Sequence, residues 1–168
     1  MARIELPDGP GPEVTRALAL RPGFAEAVGA MEKAVGRSSL DWRLHELVRM
    51  RVAQINQCTV CLSWRNQQAA DAGVTEDLLA AVDRPGDHPG FTDAEQVALR
   101  FTELFATDSA AIDDDLIARL GTHFDAGEIV ELTLIVGKYV AMGRFMQVLG
   151  LDQSCELAYD ETGTLTTR

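Results

Sequence analysis

The sequence of 168 residues predicts an all-α protein, a helical bundle of about seven or eight helices in one domain. Three observations predict it. Apolar residues recur at spacings of three and four through most of the chain, the period of a helix face. Helix start signals stand ahead of these runs, including two capping boxes, Thr92 with Glu95 and Asp125 with Glu128. No segment shows several residues of clean strand alternation bounded by turns.

The elements follow in order. Residues 5–12, ELPDGPGP, read as loop from their Pro and Gly content. Glu13 to Leu20 forms a short helix, and Arg21-Pro22-Gly23 punctuates it. Phe24, Val28, Met31 and Val35 then make a helical stripe that Gly36 stops. Ser39 is the expected N-cap of a helix from about Asp41 to Ile55. Its main stripe is Leu44, Leu47, Val48, Val52 and Ile55. A second face carries Trp42, Glu46, Met50 and Ala53, so Glu46 sits among apolar neighbours. Arg43, Arg49 and Arg51 fall at more exposed angles.

Asn56-Gln57 breaks that run. A new helix is expected from near Cys58 to Ala72, closed by Gly73. Thr75 caps a short helix to about Val82. Residues 83–90, DRPGDHPG, are the clearest loop. The Thr92 box opens a helix to about Thr107 with Val97, Phe101, Leu104 and Phe105 on one face. Asp113 caps a helix to about Thr122. The Asp125 box opens the longest and most apolar helix, to about Leu149. A helix apolar nearly all round lies in an interior or under a partner subunit, and a domain this small predicts the partner. The single domain, 1–168, thus has a short N-terminal arm (1–12) and an acidic tail (152–168) expected to fray.

Composition narrows the function classes. The formal net charge of −11 disfavours a broad hold on nucleic acid or anionic membrane. The opening residues MARIELPDGPGPE hold no apolar stretch behind Arg3, so no secretory signal is expected. The segment Ile129 to Gly150 is interrupted by Glu131, Lys138, Arg144 and Gln147, which argues against a membrane span. The default expectation is a cytoplasmic protein. Three cysteines, Cys58, Cys61 and Cys155, are too few for a secreted disulfide scaffold. Gly-rich nucleotide cradles are absent, and no cofactor is expected.

Cys58-Thr59-Val60-Cys61 is the chemically informative string. Two cysteines three apart at a helix start lie on one face, close enough to bridge. First-turn amides favour a thiolate there. A thiolate with a second cysteine to resolve its adduct is the minimum kit for dithiol–disulfide exchange. Two other readings stand beside it. Free cysteines also serve as small core hydrophobes. Structural zinc wants four soft ligands, but Cys155, His45, His88 and His123 form no second close pair, so no metal is expected.

The wider string from Glu46 through Asn56 to Cys58 and Cys61 resembles the core of the carboxymuconolactone decarboxylase and alkylhydroperoxidase D-like family. That core pairs a glutamate twelve residues before a cysteine with Asn-x-Cys-x-x-Cys opening a helix. Phe91 to Glu95 and Gly127 to Leu132 also look like family helix starts, and the resemblance covers roughly residues 20 to 150. It implies an alkylhydroperoxidase D-like helical subunit assembling through its long helices, often as a trimer or hexamer. It also implies Cys61 as the peroxidatic cysteine, Cys58 as the resolving one, and Glu46 in a proton relay. Two positions depart from the family pattern. Arg65 stands where the relay usually has a histidine, and Val60 stands where the peroxidase archetype has another. Arg65, one turn after Cys61, could stabilise a thiolate but cannot accept a proton. The general base is then either missing or supplied differently, as by Glu46 through a water, or Glu46 is a structural partner of Arg65 or Arg49. His45 points about 100° away from Glu46 around the helix and is not promoted.

The expected function is a thiol-dependent peroxidase or dithiol oxidoreductase. It would reduce a small peroxide at the expense of an external dithiol, with Cys61, Cys58, Glu46 and Arg65 as the site. The alternatives are a non-catalytic helical oligomer of the same fold, and a lactone decarboxylase-like lyase in which Arg65 binds a substrate carboxylate. No nucleic acid or membrane partner is expected.

Overall fold

A computed structural model of the protein describes residues 2–152, 157–159 and 165–167. Nine α-helices run through these residues: α1 Glu13–Ala19, α2 Pro22–Val35, α3 Trp42–Asn56, α4 Thr59–Ser63, α5 Gln67–Asp71, α6 Glu76–Ala80, α7 Asp93–Thr107, α8 Asp114–Leu120 and α9 Ala126–Leu149. Both capping boxes form, at the starts of α7 and α9. The all-α expectation holds. No helix is long and apolar enough to cross a membrane among the described residues. The expected fraying of the tail, and the place of Cys155, fall on residues that largely lie outside the described ones. Two described pieces of the tail, β1 Leu157–Tyr159 and β2 Leu165–Thr167, pair antiparallel with Leu157 opposite Thr167.

The centre of the fold is α3. One side of it, Leu44, Val48 and Val52, packs with Val97 and Phe101 of α7 and Leu132 and Val136 of α9. Another side, Leu47 and Met50, packs with Leu78, Leu79 and Phe91. Burying each such side chain stabilises the fold by roughly 1.5–3 kcal/mol relative to exposing it. Because α3 is covered on several sides, its polar residues go in with its apolar ones: His45, Glu46, Arg49 and Asn56 are all buried. Arg49 therefore departs from the expected exposed angle. That angle assumed one solvent face, which the central helix does not have.

Three other expectations change. The N-cap of α3 is Asp41, whose carboxylate accepts from the Leu44 amide, while Ser38 and Ser39 bind Glu131 of α9 instead. The expected helix from Cys58 to Ala72 is two short helices, α4 and α5. Trp64 is extended between them, and the Asn66 side chain caps α5 through the Gln68 and Ala69 amides. The stripe of α2 is only partly covered: Val35 is buried, but Phe24 and Met31 are exposed.

A long-range capping contact ties the start of α1 to the chain just after α9. Helix α1 begins after Pro12, which has no capping side chain. Buried Asp152 takes that role, accepting from the Glu13 and Val14 amides at 2.7 and 2.8 Å. Glu13 returns the contact by accepting from the Asp152 amide at 2.7 Å. A capping box normally spans three residues, and here its two halves are 139 residues apart.

Candidate functional site

The site is built where α3 ends. Gln57 adopts a left-handed conformation, φ 51°, which turns the chain sharply after Asn56. Cys58 is then the N-cap of α4, and its sulfur accepts from the Cys61 amide. Cys58 and Cys61 form a disulfide, with Cα atoms 5.2 Å apart. The two sulfurs have different surroundings. Cys58 is fully buried in a cluster with Val14, Val60 and Met146. Cys61 is partly exposed and lines an open groove of about 1000 Å³.

Asn56, the asparagine of the motif, locks this corner to α9. Its amide nitrogen approaches the Tyr139 and Val140 carbonyls at 3.4 Å, and its oxygen accepts from Arg144. Gly143 makes the approach possible, since a Cβ there would stand 2.4 Å from the Asn56 amide nitrogen.

Glu46 and Arg49 form the buried charge pair of the site. Arg49 Nε and Nη2 fork onto the two Glu46 oxygens at 2.8 and 2.7 Å. The same guanidinium donates to the Cys61 carbonyl and to the Trp64 carbonyl, and stands 4.8 Å from the centre of the Trp64 ring. The last carbonyls of a helix lack intrahelical partners. Arg49 satisfies two of them at the end of α4 and so fixes the segment carrying Cys61. The partner of Glu46 in this structure is Arg49, one of the two arginines its spacing allowed.

Arg65 lies beyond the end of α4, not on a continuous helix one turn after Cys61. Its guanidinium forks onto Glu76 at 2.6 and 2.8 Å and donates to the Leu62 and Trp64 carbonyls. The hydrogen bond to Glu76 raises its pKa further above the ordinary arginine value. It lines the groove as a cation and cannot act as a base. Val60 is buried. His45 does not line the groove. It packs on Trp42, its Nδ1 has no hydrogen-bond partner, and burial lowers its pKa. Because α4 has only five residues, the helix dipole expected to favour a thiolate is small. The Cys61 amide aimed at Cys58 is the local donor that remains.

The opposite wall of the groove comes from α9 and α2. Tyr139, Met142 and Met146 supply its apolar part, with Trp42 and Trp64 nearby. Lys138 enters it as a mostly buried ammonium bonded to Glu32 of α2 at 2.7 Å. Burial lowers its pKa, against the raising influence of Glu32. The sequence offers Arg49 only as a possible partner of Glu46, and it does not single out Lys138 or the anchoring role of Asn56. Their signals were an Arg three residues after Glu46, one lysine inside the most apolar helix, and an Asn facing a glycine. Among the described residues no three His, Cys, Asp or Glu side chains gather as metal ligands would.

An all-helical chain with a CxxC disulfide at a turn between helices, one sulfur sealed and one on a groove, defines a narrow class. Residues 22–104 match the model of the carboxymuconolactone decarboxylase family. The uncharacterized protein YnjA of Escherichia coli is 33% identical over 124 residues, covering 74% of this chain and 67% of that one. YdfG of Bacillus subtilis, also uncharacterized, is 27% identical over 121 residues, covering 71% and 82%. A solved structure from Agrobacterium tumefaciens, provisionally linked to antioxidant defence as an AhpD protein, superposes with TM-score 0.72 at 24% identity, covering 89% and 96%. A peroxidase-related protein of a Silicibacter species gives TM-score 0.71 at 20% identity, covering 83% and 75%. The chain belongs to the carboxymuconolactone decarboxylase family, and its fold is that of the AhpD-like structures.

Proposed function

We propose that this protein is a thiol-dependent peroxidase that cycles between the Cys58–Cys61 disulfide and the dithiol. One observation carries the reading: the accessible sulfur, Cys61, opens onto a groove, while its partner, Cys58, is sealed behind it. The Cys61 thiolate attacks the peroxide O–O bond. Cys61 gains one oxygen as a sulfenic acid, and the leaving alkoxide takes up a proton to depart as the alcohol. Cys58 then attacks the sulfenic sulfur, the disulfide forms, and water leaves. An external dithiol returns the two electrons by attacking Cys61 and expelling Cys58, whose sulfur already faces the Cys61 amide.

The Glu46–Arg49 pair supports this chemistry. Arg49 holds the Cys61 carbonyl and places a fixed positive charge beside the segment, which favours the thiolate. Glu46, buried and outside the groove lining, takes both arms of the Arg49 fork and so holds that charge in place beside Cys61. Arg65, bound to two carbonyls after Cys61 and to Glu76, holds the segment's far end. The names of the antioxidant and peroxidase-related structures of this fold agree with the reading. We further propose that the protein works as a homo-oligomer. Val130, Leu134 and Val148 of α9 and Phe24 of α2 are more than half exposed in the single chain, as a face awaiting another copy would be.

The test is dithiol-dependent consumption of cumene hydroperoxide. Turnover above that of dithiothreitol alone, abolished by Cys61→Ser, is expected. Consumption no faster than the dithiol background would reject the reading.

A further inference from the structure

Three cations line the groove: Arg49, Arg65 and Lys138. Two are already committed. Arg49 is spent on Glu46 and two carbonyls, and Arg65 on Glu76 and two carbonyls. Lys138 differs. Its ammonium has three donors; among the described residues it meets the Glu32 carboxylate at 2.7 Å and stands 4.2 Å from the centre of the Tyr139 ring. The lysine side chain is 11% exposed, whereas that of Glu32 is 49% exposed. The positive charge is therefore held inside the wall, while its counter-ion stands half in water on α2. An acidic ligand can take a free donor, or replace Glu32 and let it return to solvent. Beside Lys138 the groove offers Trp42, Trp64, Tyr139 and Met142, an apolar and aromatic bed far larger than hydrogen peroxide could use.

We propose that the groove is a recognition site for an organic acid, in which Lys138 anchors the carboxylate and the aromatic wall holds the hydrocarbon body. The substrate class is then a carboxylated aryl or alkyl hydroperoxide. This substrate assignment rests on the peroxidase reading of Cys61, but the acid site itself does not.

Trp42 and Trp64 are the two tryptophans of the chain and both line the groove, so intrinsic fluorescence reports occupancy. The experiment titrates oxidised protein with 4-isopropylbenzoate and with its neutral amide, 4-isopropylbenzamide, at neutral pH. The acid should bind at least roughly tenfold more tightly, as expected for one charge-assisted contact. Lys138→Met should erase the preference and keep the amide affinity, which also shows that the variant is folded. Glu32→Gln removes the competing carboxylate and should tighten the acid alone. Equal binding of acid and amide, no binding of either, or a preference that survives Lys138→Met overturns the proposal. Should Lys138→Met fail to fold, an unchanged acid affinity in Glu32→Gln overturns it. A parallel kinetic arm compares cumene hydroperoxide with its para-carboxylate. Turnover without acid preference rejects the anchor and keeps the peroxidase. Selective acid binding without turnover rejects the peroxidase and keeps the anchor.

Discussion

Replacing Arg49 with methionine keeps most of the side-chain volume and removes the charge. Glu46, 3% exposed, then loses both donors of its fork, and the Cys61 and Trp64 carbonyls lose theirs. Removing one partner of a buried ion pair costs about 3–5 kcal/mol, because the other charge stays uncompensated. For a domain of this size each kcal/mol moves the midpoint by about 2–4 °C, so Tm should fall by roughly 6–20 °C. The assay is urea and thermal unfolding of wild type, Arg49→Met, Glu46→Gln and the double variant, all at one protomer concentration so that any self-association is held constant. The double variant should be less destabilised than the sum of the singles, by about 1 kcal/mol or more. The amides of Leu62 and Trp64 should exchange faster in Arg49→Met while those of α7 and α9 hold. A loss below about 1 kcal/mol with strictly additive singles would refute the pair as the strut of the site.

Three further outcomes are expected. Gly143→Ala places a Cβ 2.4 Å from the Asn56 amide nitrogen; the α3–α9 crossing should lose about 1–3 kcal/mol, and unfolding at wild-type urea concentrations would contradict this. Burial alone would raise the pKa of Glu95, but hydrogen bonds from Arg43 and Thr92 outweigh it and hold the carboxylate below its usual range. Its contribution is thus fully present above the unfolded carboxylate pKa of about 4.3 and is lost as pH falls from there through the lower folded value. Glu95→Gln should flatten the acid limb of stability measured by urea titration at stepped pH, and an unchanged limb would exclude the effect. Light scattering at micromolar concentration should give a mass above the 18.3 kDa of one chain, and Leu134→Glu should lower it; a wild-type mass of one chain would rule out assembly through α9.

The sequence shows what local chemistry controls. Both capping boxes, the Asp113 and Thr75 caps and the Gly36 and Gly73 stops form where residue type and spacing place them. The CxxC pair and Glu46 were legible for the same reason, being a short string on a known face. What escaped depends on distant chain. The break at Trp64 is held by Arg49 from α3 and by the Arg65–Glu76 pair, so periodicity alone ran one helix through it. The cap of α1 comes from Asp152, at the other end of the chain. Arg49 reads as a surface residue on a helix wheel because a wheel cannot tell a central helix from a peripheral one. The same limit applies to the α2 stripe, where Phe24 has the right spacing for a core but no neighbour among the described residues covers it.

The most direct test of the account is a single-turnover oxidation of reduced Cys58→Ser protein by one equivalent of cumene hydroperoxide, followed by stopped flow and peptide mass spectrometry. The account predicts rapid gain of one oxygen on Cys61 alone, with release of the alcohol. In wild type the same dose should end in the Cys58–Cys61 disulfide. Oxidation no faster than that of free cysteine, or oxygen found on Cys58 in the converse Cys61→Ser protein at an equal rate, would contradict it.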